Sequence, residues 1–185
     1  MRKLIFAINL TLDGCCDHTK GIADDELHEH YARFLRDVGL LVYGRKTYEL
    51  MVPYWPDVAK HQSGPTKALN DFAEAFTSLP IVVFSRSLES VEGENTRIVR
   101  GNLKEEVLKL KQEPGKDIAT GGVDLPSQLI ELDLIDEYHF VIHPVVVGDG
   151  RRLLDDVSLP EKLQLKLVES KVFKSGSVAL RYAKQ

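Results

Sequence analysis

The chain has 185 residues, 43% hydrophobic and 28% charged, with a net charge of −4 and an isoelectric point near 5.9. A chain this long hides roughly 70% of its unfolded surface, so it needs no disulfide or structural metal, and it fits one domain over 1–185. The mild acidity without a basic run argues against a nucleic-acid or anionic-membrane surface, no apolar run reaches a membrane span, and the adjacent Cys15 and Cys16 point to a reducing, cytoplasmic setting without a disulfide framework.

After Met1-Arg2-Lys3 an apolar run is broken by Asn9 and Asp13, too early for a signal peptide, and reads as a first strand over 3–11. Leu27, Tyr31, Phe34, Leu35 and Val38 then recur at helical spacing, with Asp24 and Asp25 placed to cap or favour the first turn. Short β-branched strands are predicted at 40–43 and 81–84. Between them Phe72, Ala73 and Phe76 mark a helix ending before Pro80, and Gln62-Ser63-Gly64-Pro65 reads as a surface loop. Leu103, Val107, Leu108 and Leu110 predict a further helix before the turn at Pro114-Gly115. A strand at 117–119 and a helix carrying Leu125, Leu129, Ile130 and Leu132 come next. Strands at 138–147, 163–173 and 177–182 complete the chain, the last two joined by the hairpin signal Lys174-Ser175-Gly176. Strand and helix alternate first and strands dominate last, so the expected architecture is α/β: a mostly parallel central sheet covered on both faces, with an antiparallel edge.

Three junctions carry candidate chemistry. In Val42-Tyr43-Gly44-Arg45-Lys46-Thr47-Tyr48-Glu49 a strand meets a glycine and then a helical segment. Bare backbone at Gly44, the charges of Arg45 and Lys46 and the hydroxyl of Thr47 suit an anion, although a helix start with two solvated cations gives the same pattern. The spacing is not that of a Walker loop. In Val82-Val83-Phe84-Ser85-Arg86-Ser87 a strand ends in hydroxyls around an arginine, which suits a 2′-phosphate where an acidic residue would suit a free ribose. An ordinary polar loop is the competing reading. In Ile118-Ala119-Thr120-Gly121-Gly122-Val123 two glycines after a strand allow a pyrophosphate and a nicotinamide to lie against the backbone, or simply make a tight turn.

Taken with Thr11-Leu12-Asp13-Gly14, Ile135-Asp136-Glu137-Tyr138 and the run from His143-Pro144 to Gly148-Asp149-Gly150, these motifs occur in a characteristic order. Over nearly its whole length the chain resembles the dihydrofolate-reductase-like proteins related to the C-terminal reductase domain of the bifunctional riboflavin-biosynthesis deaminase-reductase. The resemblance implies a three-layer α/β/α fold, NADPH as hydride donor, and a homodimer. It implies that Gly44, Arg45, Lys46 and Thr47 meet the adenosine-side and bridging phosphates, that Ser85 and Arg86 meet the 2′-phosphate, and that Thr120, Gly121 and Gly122 face the pyrophosphate and nicotinamide half. Residues 11–14 then resemble the start of a loop covering the nicotinamide, with Asp13 a candidate catalytic or structural residue. Cys15-Cys16-Asp17-His18 follow Asp13-Gly14 where relatives commonly continue with apolar residues, which makes this loop chemically unusual, and Leu154 stands where Phe is common.

The reaction expected is hydride transfer from NADPH to a pterin-like or pyrimidine-ribosyl acceptor. In true dihydrofolate reductases an acid on the first helix supplies the proton; here the family spacing lands near His28, whose imidazole titrates near neutral pH, with Asp25, Glu26 and Glu29 close by. His28 is thus the candidate proton donor, set against a helix-edge histidine without a chemical role. Tyr48, Met51, Tyr54 and Trp55 offer either a stacking wall for a flat ring or core packing. Vicinal Cys15 and Cys16 followed by His18 lack zinc-ligand spacing, so no metal is expected. The rival readings are a genuine dihydrofolate reductase and a non-catalytic NADPH-binding or scaffold dimer.

Overall fold

Alternation along two strands dictates the layers. On β1 (Leu4–Thr11), Leu4 and Phe6 join one buried cluster and Ile5 the other; on β2 (Val38–Gly44), Leu40 and Val42 oppose Leu41 and Tyr43 in the same way. Strands apolar on both faces must be covered on both. The computed structural model describes residues 1–93, 95–155, 157–159 and 161–185. Its helices are α1 (Asp25–Asp37), α2 (Arg45–Met51), α3 (Trp55–His61), α4 (Lys67–Thr77), α5 (Leu103–Gln112) and α6 (Asp124–Glu131). The remaining strands are β3 (Ile81–Phe84), β4 (Thr96–Val99), β5 (Asp117–Thr120), β6 (Glu137–His143), β7 (Leu165–Val172) and β8 (Val178–Lys184).

The eight strands form one sheet in the order β4-β3-β2-β5-β1-β6-β8-β7. Pairings from β4 across to β6 are parallel, and β8 runs antiparallel to both β6 and β7. Residues of α5 and α6, among them Val107, Leu110, Leu125 and Leu129, close one face; Leu35, Phe72 and Phe76 from α1 and α4 close the other. This is the three-layer α/β/α arrangement of the dihydrofolate-reductase-like fold, with a mostly parallel sheet and a C-terminal antiparallel hairpin.

Local signals act as expected where polar side chains cap helices. Asp24 accepts from the Leu27 amide at 2.8 Å to start α1, and Asn102 accepts from the Glu105 amide at 3.2 Å to start α5. Four details differ from the sequence reading. Val38 ends the helical stripe as the first residue of β2, because α1 passes into the sheet without a loop. The strand expected through 147 stops at His143, since Pro144 has no N–H to continue a ladder. Helix α3 forms despite Pro56, which sits in its first turn where the missing N–H is harmless. Edge strand β4 carries only four residues and depends on pairing with β3. Among the described residues, no helix is long and apolar enough to cross a membrane.

Register then decides what meets at the upper rim of the sheet. Gly44 lies opposite Phe84, and Val42 and Phe6 both lie opposite Thr120. The three candidate junctions, beginning at Gly44, Ser85 and Gly121, therefore leave neighbouring strands at the same edge. A crevice outside the carboxyl ends of parallel strands is where open α/β sheets bind ligands.

Candidate active site

A cavity of about 490 Å³ opens at that edge, between the ends of β1, β2 and β5 and the helices α1, α2 and α4. Its two ends differ in construction. One is made from Gly44, Arg45, Lys46, Thr47, Thr120, Gly121 and Gly122; the other from side chains of α1, α2 and α4, chiefly Tyr31, Phe34, Met51, Phe72 and Phe76.

At the first end the backbone comes close because side chains are missing. Gly122 has a φ of +84°, and a Cβ there would collide with the Thr47 hydroxyl. A Cβ on Gly121 would stand 3.3 Å from the Ala7 carbonyl oxygen. Beside them Thr120 is only 2% exposed, and its Oγ1 has no hydrogen-bond partner although it lines the cavity. An unmade hydrogen bond of a buried hydroxyl costs about 1–3 kcal/mol. The N-cap of α6, Val123, contributes no side-chain cap, which leaves that helix start open toward the same space.

Charge surrounds this end. Lys46 Nζ lies 3.0 Å from Asp124 Oδ2, Arg151 pairs with the other oxygen of Asp124, and Arg45 bonds both oxygens of Glu49 at 3.2 Å. Arg151, and then Lys46, hold the Asp124 carboxyl below its ordinary range. Ser85 and Arg86 do not line the cavity but occupy the adjoining strand end; Ser85 Oγ accepts from the Leu88 amide at 3.0 Å. Arg86 is exposed and has no ion-pair partner among the described residues.

Asp13 stands outside the cavity lining. Its carboxylate accepts from the Thr11 hydroxyl at 2.6 Å and from the amides of Gly148 at 2.9 Å and Val147 at 3.3 Å. The Thr11 bond first and the Gly148 amide second lower it to about 2, so near neutral pH it is an anion that binds a loop. The same two segments exchange backbone bonds between the Leu12 amide and Val145, the Cys16 amide and Arg151, and the Leu153 amide and Gly14. Two motifs about 130 residues apart in sequence thus form one structure beside the cavity, and Cys16 of that structure lines it. Both cysteines are free thiols.

His28 also lies away from the cavity. Its ring packs edge-on against Trp55 and Phe72, with centroids 6.3 and 6.0 Å away, and its buried Nδ1 has no partner. Burial lowers its pKa, favouring neutral imidazole. Of the aromatic segment after α2, Met51 lines the cavity, Tyr48 is core, Tyr54 is exposed, and Trp55 supports Phe72 from behind at 4.5 Å between centroids.

Sequence reasoning missed the polar pair at the second end. Tyr31 Oη donates to Asn9 Oδ1 at 3.0 Å, and both residues line the cavity. Asn9 registered as an interruption of an apolar strand and Tyr31 as one position of an apolar stripe. The signal available was that Asn9 interrupts the buried run of β1 close to its carboxyl end, where sheets of this class bind ligands.

The family model of the RibD C-terminal domain matches residues 2–179. An uncharacterized Bacillus subtilis (strain 168) protein, YyaP, is 34% identical over 187 residues, covering 98% of this chain and 94% of its own. Among solved structures, a putative riboflavin biosynthesis protein from Shewanella sp. PV-4 matches with a TM-score of 0.72 at 18% identity, covering 99% of each chain. The dihydrofolate reductase of Enterococcus faecalis, solved with NADP(H), matches with a TM-score of 0.63 at 12% identity, over 99% of this chain and 96% of that one. These last two similarities show the fold.

Proposed function

From a chain that belongs to the family of the RibD C-terminal domain, we propose an NADPH-dependent reductase that passes hydride to a small pterin-like or pyrimidine-ribosyl acceptor. The observation that carries the reading is the unpartnered Thr120 hydroxyl, buried beside two glycines at the wall of the cavity. A polar group that must complete this hydroxyl, and a backbone left bare around it, fit the amide-bearing nicotinamide and the pyrophosphate of a dinucleotide. NADPH, when bound, supplies the hydride.

The protein's part is binding and orientation. In this reading Thr120, Gly121 and Gly122 hold the nicotinamide and pyrophosphate half, and Gly44, Arg45, Lys46 and Thr47 hold the bridging phosphates. Ser85 and the exposed Arg86 take the 2′-phosphate. Asp13 is a positioning residue: it ties residues 147 and 148 to the loop beside the cavity. The candidate catalytic residues Asp13 and His28 lie outside the cavity lining, Asp13 held as a carboxylate and His28 packed against Phe72, which counts against either as the proton donor in this reading. The carboxylates of α1 are absent from the lining as well, among the described residues, which counts against a genuine dihydrofolate reductase. Against a bare scaffold stands the unsatisfied hydroxyl of Thr120, a residue that lines the cavity. The homodimer belongs to the same proposal and is supported by edge strand β7, where Leu167 and Val168 are 50% and Val172 71% exposed. Free thiols at Cys15 and Cys16 fit the reducing cytoplasm.

Thermal unfolding with NADPH and with NADH tests the cofactor. At a hundredfold excess over Kd, NADPH should add about 2.7 kcal/mol and raise Tm by roughly 5–10 °C. Arg86→Gln should remove about tenfold of the preference for NADPH over NADH, the effect of losing a charge-assisted bond. No shift with either nucleotide would sink the reading, and an unchanged preference in the variant would reassign the 2′-phosphate site.

A further inference from the structure

A histidine that the reading above leaves unused is buried at the end of β6. His143 is 1% exposed, and its Nδ1 lies 3.1 Å from the Ile22 amide nitrogen and 3.2 Å from Ser177 Oγ. Gly21 comes so close that a Cβ there would stand 3.0 Å from Nε2. One ring thus joins the end of β6, the segment leading into α1 and the turn before β8.

Only one protonation state permits this arrangement. An amide N–H can only donate, so Nδ1 offers its lone pair to Ile22 and the proton of the neutral ring is on Nε2, which is buried without a partner among the described residues. A proton added at Nδ1 would face the Ile22 N–H and take away its acceptor, whereas the Ser177 hydroxyl both donates and accepts and suits either state. Burial is the larger influence on the ring and lowers its pKa; the Asp24 carboxylate at the start of α1 acts the other way. Asp17, His18 and Cys15 line the same small cavity of about 40 Å³ as His143, to which β1 brings the uncharged Thr11.

What the Ile22 bond holds is a wall of the main cavity. The segment from Leu12 is tied at its beginning to residues 145–148 by the Leu12 amide and the Asp13 carboxylate, and at Cys16 to Arg151. Beyond Cys16, the bonds of Thr19 and Lys20 are internal, made to Asp17, so among the described residues the Ile22 bond is what fastens this stretch to β6. Between the two ties stand Cys16 and His18, both in the lining of the main cavity. Resting on the reductase reading above, we propose that His143 is a positioning residue whose Nδ1 fastens residues 17–22 to the end of β6, keeps the Cys16–His18 wall in place, and releases it when the ring takes up a proton. Ligand affinity in the cavity then falls in acid.

The test uses the whole protein and two variants: His143→Asn keeps an uncharged acceptor near the position of Nδ1, and His143→Leu removes it. Amide exchange followed by NMR, corrected for its intrinsic pH dependence, reads Ile22 directly, with the buried Ile118 amide, bonded to the Lys3 carbonyl, as the measure of global unfolding. In wild type, Ile22 protection should be constant above about pH 7 and drop at least about tenfold as the pH falls below the ordinary histidine value near 6.5, while Ile118 stays protected. His143→Asn should keep Ile22 protected with a flat profile. His143→Leu should leave Ile22 unprotected throughout, speed alkylation of Cys16, and weaken NADPH about three- to tenfold at pH 7, the range of one neutral hydrogen bond, with affinity restored in His143→Asn. Protection of Ile22 retained in His143→Leu overturns the proposal, and so does an acid-sensitive profile in His143→Asn, which would place the titration on Asp17, His18 or Asp24. Unchanged NADPH affinity with Ile22 unprotected overturns the positioning role. Should His143→Leu not fold, the wild-type and His143→Asn profiles decide by themselves. If NADPH fails to bind wild type while Ile22 and Cys16 respond as stated, the reductase reading falls and the fastening stands.

Discussion

The two ends of the cavity are built by opposite means. At the glycine end the shape comes from backbone: Gly121 and Gly122 bring the turn after β5 against Ala7 and Thr47, and the one buried hydroxyl there is left waiting for a partner. At the aromatic end the shape comes from side chains on separate helices, with Phe72 stacked 6.4 Å from Phe76 and braced by Trp55. A backbone-built wall tolerates almost no added atom yet contributes little to the core. A side-chain-built wall is part of the core itself, so a change to it acts on stability first.

Removing a core ring should break the contrast most strongly. Phe76 is 1% exposed, and Phe76→Ala should cost about 3–5 kcal/mol of stability in urea unfolding, while folded protein retains its NADPH affinity. A loss of nucleotide binding by fully folded Phe76→Ala would show that the ends are coupled.

At the glycine end the effect should fall on ligand more than on fold. Gly122→Ala forces a side chain into positive φ and onto Thr47, which should cost about 1–3 kcal/mol and weaken NADPH binding at least about tenfold. Combining it with Thr47→Ala relieves the collision but not the backbone strain, so Tm should recover only in part. Full recovery would mean that the conformation at Gly122 carries no strain.

The smallest effect expected is at the segment beside the cavity. Asp13 titrates lower in the folded chain than unfolded, at about 2. Its contribution is therefore whole above about pH 4 and is lost as the pH falls toward 2. Amide protection of Val147 and Gly148, followed by NMR, should decline across that window, and Asp13→Asn should abolish the pH dependence. A flat profile in wild type would remove Asp13 as the tie between the two segments.

The contrast between the ends also governs how much could be read before the structure. Capping residues such as Asp24, the helical stripe of α1 and the Lys174-Ser175-Gly176 hairpin act within a few residues, and they appear where local chemistry puts them. The glycine end was legible for the same reason: each of its parts is a short contiguous motif at the end of a strand. Edge strand β4 was not, because four residues without alternation become a strand only through the partner that β3 supplies.

By itself the sequence determined the α/β class, the order of strands and helices, and the segments in which glycines, cations and hydroxyls follow strand ends, since these depend on periodicity and on neighbours in the chain. The tertiary structure decided which of them share a cavity. It set Ser85 and Arg86 beside the lining, moved His28 behind Phe72, and bound Asp13 to Gly148 across the sequence. It also joined Asn9 of β1 to Tyr31 of α1, two residues that are unremarked alone and bond only when the helix is laid across the sheet. Sheet register and helix docking fix such distances, and both arise from burying surface between segments far apart in the chain.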